Sequence, residues 1–266
     1  MFFSLSTWQI TLIIFAIVVG TTALGVVLGH WLRGHSEALG EPFRLVQGTL
    51  LGVVGLILAF GLTLAIGRYE SRRTAVVDEA NAIGTTYLRA QTLVEPIRSR
   101  SIDLVKSYTD IAIKLSHTVP EGSGERDVVA QENVLQRRLW RLAGNALKGR
   151  PTENAPRLYV ETLNEMINQQ TVRISALNNR IPNSVIALEV IGSAVALGLL
   201  AMYLALISRG VVTVLIAAAL VSMLLVITID LDRPVRGYIT VTDAPLVSVR
   251  ASMVPPPAAT GPSTPS

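Results

Sequence analysis

Four long apolar stretches set the pattern of the chain. Residues 10–28, 45–67, 190–208 and 210–229 run 19, 23, 19 and 20 positions without an Asp, Glu, Lys or Arg. A helix rises about 1.5 Å per residue and a hydrocarbon core is about 30 Å thick, so roughly 20 apolar residues cross it. Backbone polar groups in lipid must find partners within their own segment, which predicts a helix for each stretch. Trp8 and Trp31 bracket the first stretch as aromatic interface anchors do. Residues 1–9 carry no Lys or Arg and the apolar run is longer than a signal-peptide core, so the first stretch reads as a retained span.

Between the second and third stretches the pattern changes. Residues 68–184 hold 17 Lys and Arg against 13 Asp and Glu, and they lack strand-like alternation. Residues 67–93 continue the second span without a strong breaker until Pro96. A helix over 97–117 places Leu104, Tyr108, Ile111 and Leu115 on one face. Residues 120–124 read as a turn, and Asp127 as the N-cap of a helix to Leu147 striped by Val128, Leu135, Leu139, Leu142 and Ala146. A last helix over 157–180 carries Leu163, Ile167, Gln170, Ile174, Leu177 and Ile181 at near-heptad spacing, and Pro182 ends it. Such stripes bury each other in a bundle. The predicted fold class is all-α: a polytopic membrane protein with four transmembrane helices and a cytoplasmic helical bundle continuous with them. The expected organisation is a transmembrane hairpin over 8–67, a cytoplasmic helical domain over 68–184 and a second hairpin over 185–229. A cytoplasmic C-terminal segment over 230–254 follows, with a short extended piece at 238–241, then a disordered tail over 255–266 rich in Pro, Ala, Thr, Gly and Ser.

Charge sets the expected orientation. Four spans put both termini and residues 68–184 on one side, leaving the loop 30–44 and the turn 208–210 on the other. Arg33, Arg44 and Arg209 face the second side; Arg68, Arg72, Arg73, Arg173, Arg180, Arg233 and Arg236 flank the spans on the first. The positive-inside rule makes that first side cytoplasmic, and the expected location is the cell (inner) membrane. Overall, 50% of residues are hydrophobic and only 16% are charged, against about 25% in soluble domains. The net charge of +4 sits at membrane edges, which argues for lipid head groups and against nucleic acid as a partner. With no cysteine and only three histidines, there is no thiol nucleophile, zinc ribbon or iron–sulfur site. No phosphate loop, paired metal histidines or nucleophile elbow occurs, so no catalytic residue, metal or cofactor is assigned. His30 and His35 read as interface residues and His117 as a helix-end residue.

The second span carries most of the candidate function. Gly48, Gly52, Gly55 and Ala59 line one face, as small residues do where helices approach closely. Leu56, Phe60 and Thr63 line another, which around an axis makes a narrow apolar neck of the kind that gates by dewetting. Arg68, Arg72 and Arg73 follow where the span ends, as mouth residues that concentrate anions or as positive-inside anchors. Glu189 is the one charge near a span interior, and its position suits snorkelling to the head groups.

The stretch Arg68-Tyr69-Glu70-x-Arg72-Arg73 is followed by Val77-Asp78-Glu79-Ala80-Asn81-Ala82-Ile83-Gly84-Thr85 and Tyr87-Leu88-Arg89-Ala90. With Asp230-Leu231-Asp232-Arg233-Pro234-x-x-Gly237 after the last span, it resembles the bacterial bestrophin-like domain family, over residues 8–250. The resemblance marks Glu79, Asn81, Asp230, Asp232, Arg233 and Pro234 as family positions. True bestrophins are homopentameric anion channels with four spans, cytosolic termini and a large helical cytosolic region, their second span lining the pore. The resemblance therefore implies a homo-oligomer, a pentamer on that plan, with the lipid bilayer and inorganic ions as partners. It does not extend to calcium gating, because only Asp230 and Asp232 stand where animal bestrophins carry a long acidic run. Two other readings remain open at this point: a non-conducting scaffold or sensor whose cytoplasmic bundle binds a partner protein, and a lipid-modifying membrane enzyme.

Overall fold

The computed structural model describes residues 6–32, 36–207 and 210–254, with side chains except at residues 7, 36–45 and 211. Among the described residues all regular structure is helical: α1 (Thr7–Trp31), α2 (Ser36–Ala90), α3 (Ile97–Ser116), α4 (Ser123–Gly149), α5 (Asn154–Asn178), α6 (Asn183–Leu206), α7 (Val211–Leu231) and α8 (Ala244–Ser252). Four helical stretches are long and apolar enough to cross a membrane. The helices form two compact units. The first comprises residues up to Ser71 with Asn179–Thr240; the second comprises Arg72–Asn178 with residues from Val241 onward.

In the first unit α1 starts with a capping box. Ser6 Oγ accepts from the Gln9 amide at 3.3 Å, and Gln9 Oε1 accepts from the Ser6 amide at 2.8 Å. α1 packs along α6, and both contact α7. The contact is close because its residues are small: Gly25 lies against the Gly198 carbonyl, and a Cβ on Gly29 would meet that of Ala205 at 2.6 Å. Ile10, Ile14 and Val18 fill the interior from α1. The outside is apolar as well, with Trp8, Phe15, Leu24, Leu56, Phe60 and Met223 all well exposed. Gly48, Gly52 and Gly55, expected to hold α2 against another helix, have nothing within 4 Å of where a Cβ would stand; the close-approach glycines are on α1 instead.

The second unit is built the ordinary way round. Val105, Tyr108, Leu139, Tyr159, Leu163 and Met166 are fully buried at its centre, each large aliphatic side chain contributing about 1.5–3 kcal/mol. α3 packs on α4 and α8, and α4 on α5. The helix expected to be capped by Asp127 begins five residues earlier, at Ser123 after the N-cap Gly122. The reason is Glu125: its carboxylate accepts from the Glu121 amide at 2.5 Å and from Asn178 Nδ2 at 3.0 Å, and an acidic first turn suits the helix dipole. The α3 stripe is turned by one position: Val105, Tyr108, Ala112 and Leu115 are buried, while Leu104 and Ile111 are half-buried. Residues 238–241 form no strand, and α8, which the pattern did not predict, follows them. The expected outer loop 30–44 is shorter than read, since α2 already begins at Ser36. Arg33, His35, the 208–209 turn and the 255–266 tail lie outside the described residues, as do the side chains of Arg44 and Arg209.

Candidate functional site

α2 positions most of the candidate residues. In the first unit it turns Leu56 and Phe60 outward, 58% and 62% exposed. Thr63 follows on the same exposed face, its hydroxyl returned to the Ala59 carbonyl at 2.8 Å. That internal bond is how a helix in apolar surroundings satisfies a hydroxyl. Arg68 is half-buried and donates from its guanidinium to Asn179 Oδ1.

Glu189 does not snorkel. It is 1% exposed on α6, neither carboxylate oxygen has a hydrogen-bond partner, and it lies directly against Gly61 of α2. Any side chain at Gly61 would overlap the carboxylate, so that glycine is what admits the glutamate. The expectation failed because it measured depth along one helix and ignored the neighbour that covers the side chain.

The closing motif is a pair of backbone clasps in the same unit. Asp230 Oδ1 and Oδ2 accept from the Tyr238 and Ile239 amides, both at 2.8 Å. Gly237 is required there, because a Cβ would stand 2.9 Å from the Asp230 carbonyl oxygen. Asp232 accepts from the Ile181 amide at 3.2 Å through both oxygens, holding the turn that leads into α6 at Pro182. Arg233 and Pro234 are buried beside them. Both aspartates thus already hold amide donors, and among the described residues no group of three His, Asp or Glu is placed to hold a metal.

In the second unit the three arginines part company. Arg73 is exposed, whereas Arg72 is 1% exposed and its Nε donates to the Ala176 carbonyl at 3.1 Å. Arg72 therefore does not present its charge at a surface, as a mouth residue would; it ties α2 to α5. Arg173, read as a membrane-edge charge, is also buried. It pairs with Glu79 Oε2 at 2.5 Å and donates to the Ala112 carbonyl at 3.0 Å and Ser116 Oγ at 2.7 Å. Glu79 Oε1 accepts from the Tyr108 hydroxyl at 3.1 Å. Burial first, and then the Glu79 charge, hold the Tyr108 phenol well above its ordinary range. Gln170 donates to Glu132 Oε2 at 2.6 Å, and Gln136 donates to Gln170 at 2.7 Å. Sequence reasoning found Glu79 but missed Glu132, Gln136 and Arg173. The available signal was polar residues on the core stripe: Gln170 sits among Leu163 and Leu177, and Glu132 one turn after Val128.

Asn81 is exposed on α2 between two surface grooves. One, of about 280 Å³, is shared with Thr162, Glu165 and Gln169 of α5; the other, of about 710 Å³, with Pro245, Val249 and Ser252 of the α8 region. His30 Nδ1 lies 2.9 Å from the Val26 carbonyl, and His117 Nε2 lies 3.0 Å from Asp243 Oδ2. No catalytic constellation assembles from these groups.

Comparison with known proteins agrees with this architecture. The Bestrophin-like domain model matches residues 13–246. A bacterial bestrophin homologue from Klebsiella pneumoniae superposes with a TM-score of 0.67 at 11% identity, covering 89% of this chain and 96% of that one. Two point variants of the Klebsiella homologue give TM-scores of 0.65 and 0.67 at 12% identity, covering 89% and 90% of this chain and 97% of theirs. At such identities the likeness is one of fold. No curated protein matches the chain. The family match takes in most of the first apolar stretch, the other three and both motifs, so the chain belongs to the bestrophin-like domain family and is a membrane protein of the bestrophin type.

Proposed function

We propose that the protein is a homo-oligomeric ion channel, conducting anions, in which α2 of each copy lines the pore and Leu56, Phe60 and Thr63 form its apolar neck. The observation that carries this reading is the α2 face itself. Leu56 and Phe60 are more than half exposed, Thr63 is exposed beside them, and the single chain covers none of the three. Gly48, Gly52 and Gly55 on the same helix also have open space around them, room that further copies of the helix can occupy. A ring of copies gives such a face an axis to line, and a wall of Leu and Phe opens and closes to ions by wetting. The ring is a pentamer on the bestrophin plan.

In this reading the protein crosses the cell (inner) membrane four times, with hairpins over 8–67 and 185–229. Both termini, the helical domain 68–184 and the segment 230–254 lie on the cytoplasmic side, and the bilayer, other copies of the chain and inorganic ions are its partners. Arg68 and Arg73 raise the local anion concentration at the mouth, while Arg72 supports α2 from within. The test is mass in detergent together with reconstitution into a planar bilayer. A pentamer that passes chloride supports the proposal; a monomer, or protein silent across ions and voltages, overturns it.

A further inference from the structure

The densest set of ionisable groups away from the pore face lies inside the second unit. Four helices contribute to it: Glu79 from α2, Tyr108 from α3, Glu132 and Gln136 from α4, Gln170 and Arg173 from α5. Glu79 and Glu132 are 0% exposed. The cluster holds two carboxylates and one guanidinium. That guanidinium is committed to Glu79, to the Ala112 carbonyl and to Ser116. Glu132 receives one donor, the Gln170 amide on Oε2, and its Oε1 is buried with no partner. Gln136 donates to Gln170 and makes no bond to Glu132 Oε1. Two carboxylates held in a water-excluded core with a single countercharge do not both carry charge at little cost.

We propose that Glu132 is a proton-binding site, and that the core of this bundle takes up and releases one proton there. With the proton bound, Glu79 and Arg173 cancel and the buried cluster is neutral. With the proton released, the cluster carries one uncompensated negative charge facing Glu79 and the Tyr108 hydroxyl. Burial, and after it the charge of Glu79, push the Glu132 carboxyl up to about 7, while the Gln170 bond and Arg173 pull the other way. The ligand is the proton itself, and the inference stands whether or not the protein conducts.

The test is infrared titration of the full-length protein in detergent, with Glu189→Gln as the common background so that the other unpartnered buried carboxyl adds no band, reading the protonated-carboxyl stretch across pH 5 to 9. A band that grows as pH falls through about 7, disappears in Glu132→Gln and moves to lower pH in Glu79→Gln is the expected result. Glu79→Gln removes the neighbouring charge but keeps Glu132, so it decides the matter even where Glu132→Gln does not fold. A titration that survives Glu132→Gln, or a midpoint that Glu79→Gln leaves in place, overturns the assignment.

Discussion

Glu79 and Glu189 are both buried glutamates, and the two units treat them differently. Glu79 sits among donors: Arg173, its ion-pair partner, and the Tyr108 hydroxyl. Glu189 lies against Gly61 with no donor to either oxygen. The same contrast runs through the units as wholes. The second admits a few polar side chains to its core, where they bond one another. The first turns Trp8, Phe15, Leu56 and Phe60 outward and packs glycine and alanine within. Inside a bundle, a buried charge persists because it is paired and hydrogen-bonded; in an apolar membrane unit, an unpaired one is rare and marks function.

The largest effect that sharpens this contrast is removal of the one shared countercharge. Arg173→Met leaves Glu79 and Glu132 buried without it, and denaturant unfolding followed by circular dichroism will show a loss of about 3–5 kcal/mol. Next comes pH. Glu132 binds its proton more tightly in the folded state, so its contribution to stability is complete below about 4.3 and is lost as pH rises to about 7. The wild-type protein minus Glu132→Gln will therefore lose stability across that window, by up to about 3 kcal/mol. A difference curve that is flat, or that rises with pH, breaks the account. Glu189 provides the opposite case: Glu189→Leu removes an unsatisfied carboxylate and stabilises by about 1–3 kcal/mol, whereas Glu79→Leu strands Arg173 and destabilises. Thermal unfolding of the two variants side by side reads both signs. The smallest effect belongs to the exposed pair Arg250–Asp110, whose contacts of 2.7 and 3.2 Å are worth about 0.2–1 kcal/mol. Asp110→Asn will hardly move the unfolding midpoint.

The apolar pattern made the helical architecture legible because span length is a property of single segments. Four uncharged runs near 20 residues have one structural solution, and the breaks at Pro96 and Pro182 stand near the helix ends observed. What the pattern concealed depends on partners far along the chain. Arg173 reads as a surface charge until Glu79, 94 positions away, is placed beside it. Glu189 reads as an interfacial residue until Gly61 is found against it. α8 is short and carries no long stripe, and Leu246, its fully buried side chain, joins the core of the second unit. The closing motif was recognisable as a motif, but its work of holding the Tyr238, Ile239 and Ile181 amides emerges only from the fold.

The chain contains no cysteine, so one introduced thiol reports on one position without background. The most direct test of the proposed pore is the block of Phe60→Cys currents in a planar bilayer by a charged, membrane-impermeant thiol reagent, with Leu188→Cys on the exposed face of α6 as the reference. The reagent will close the Phe60→Cys conductance and leave the Leu188→Cys conductance unchanged. Phe60→Cys currents that persist after the thiol has fully reacted contradict it.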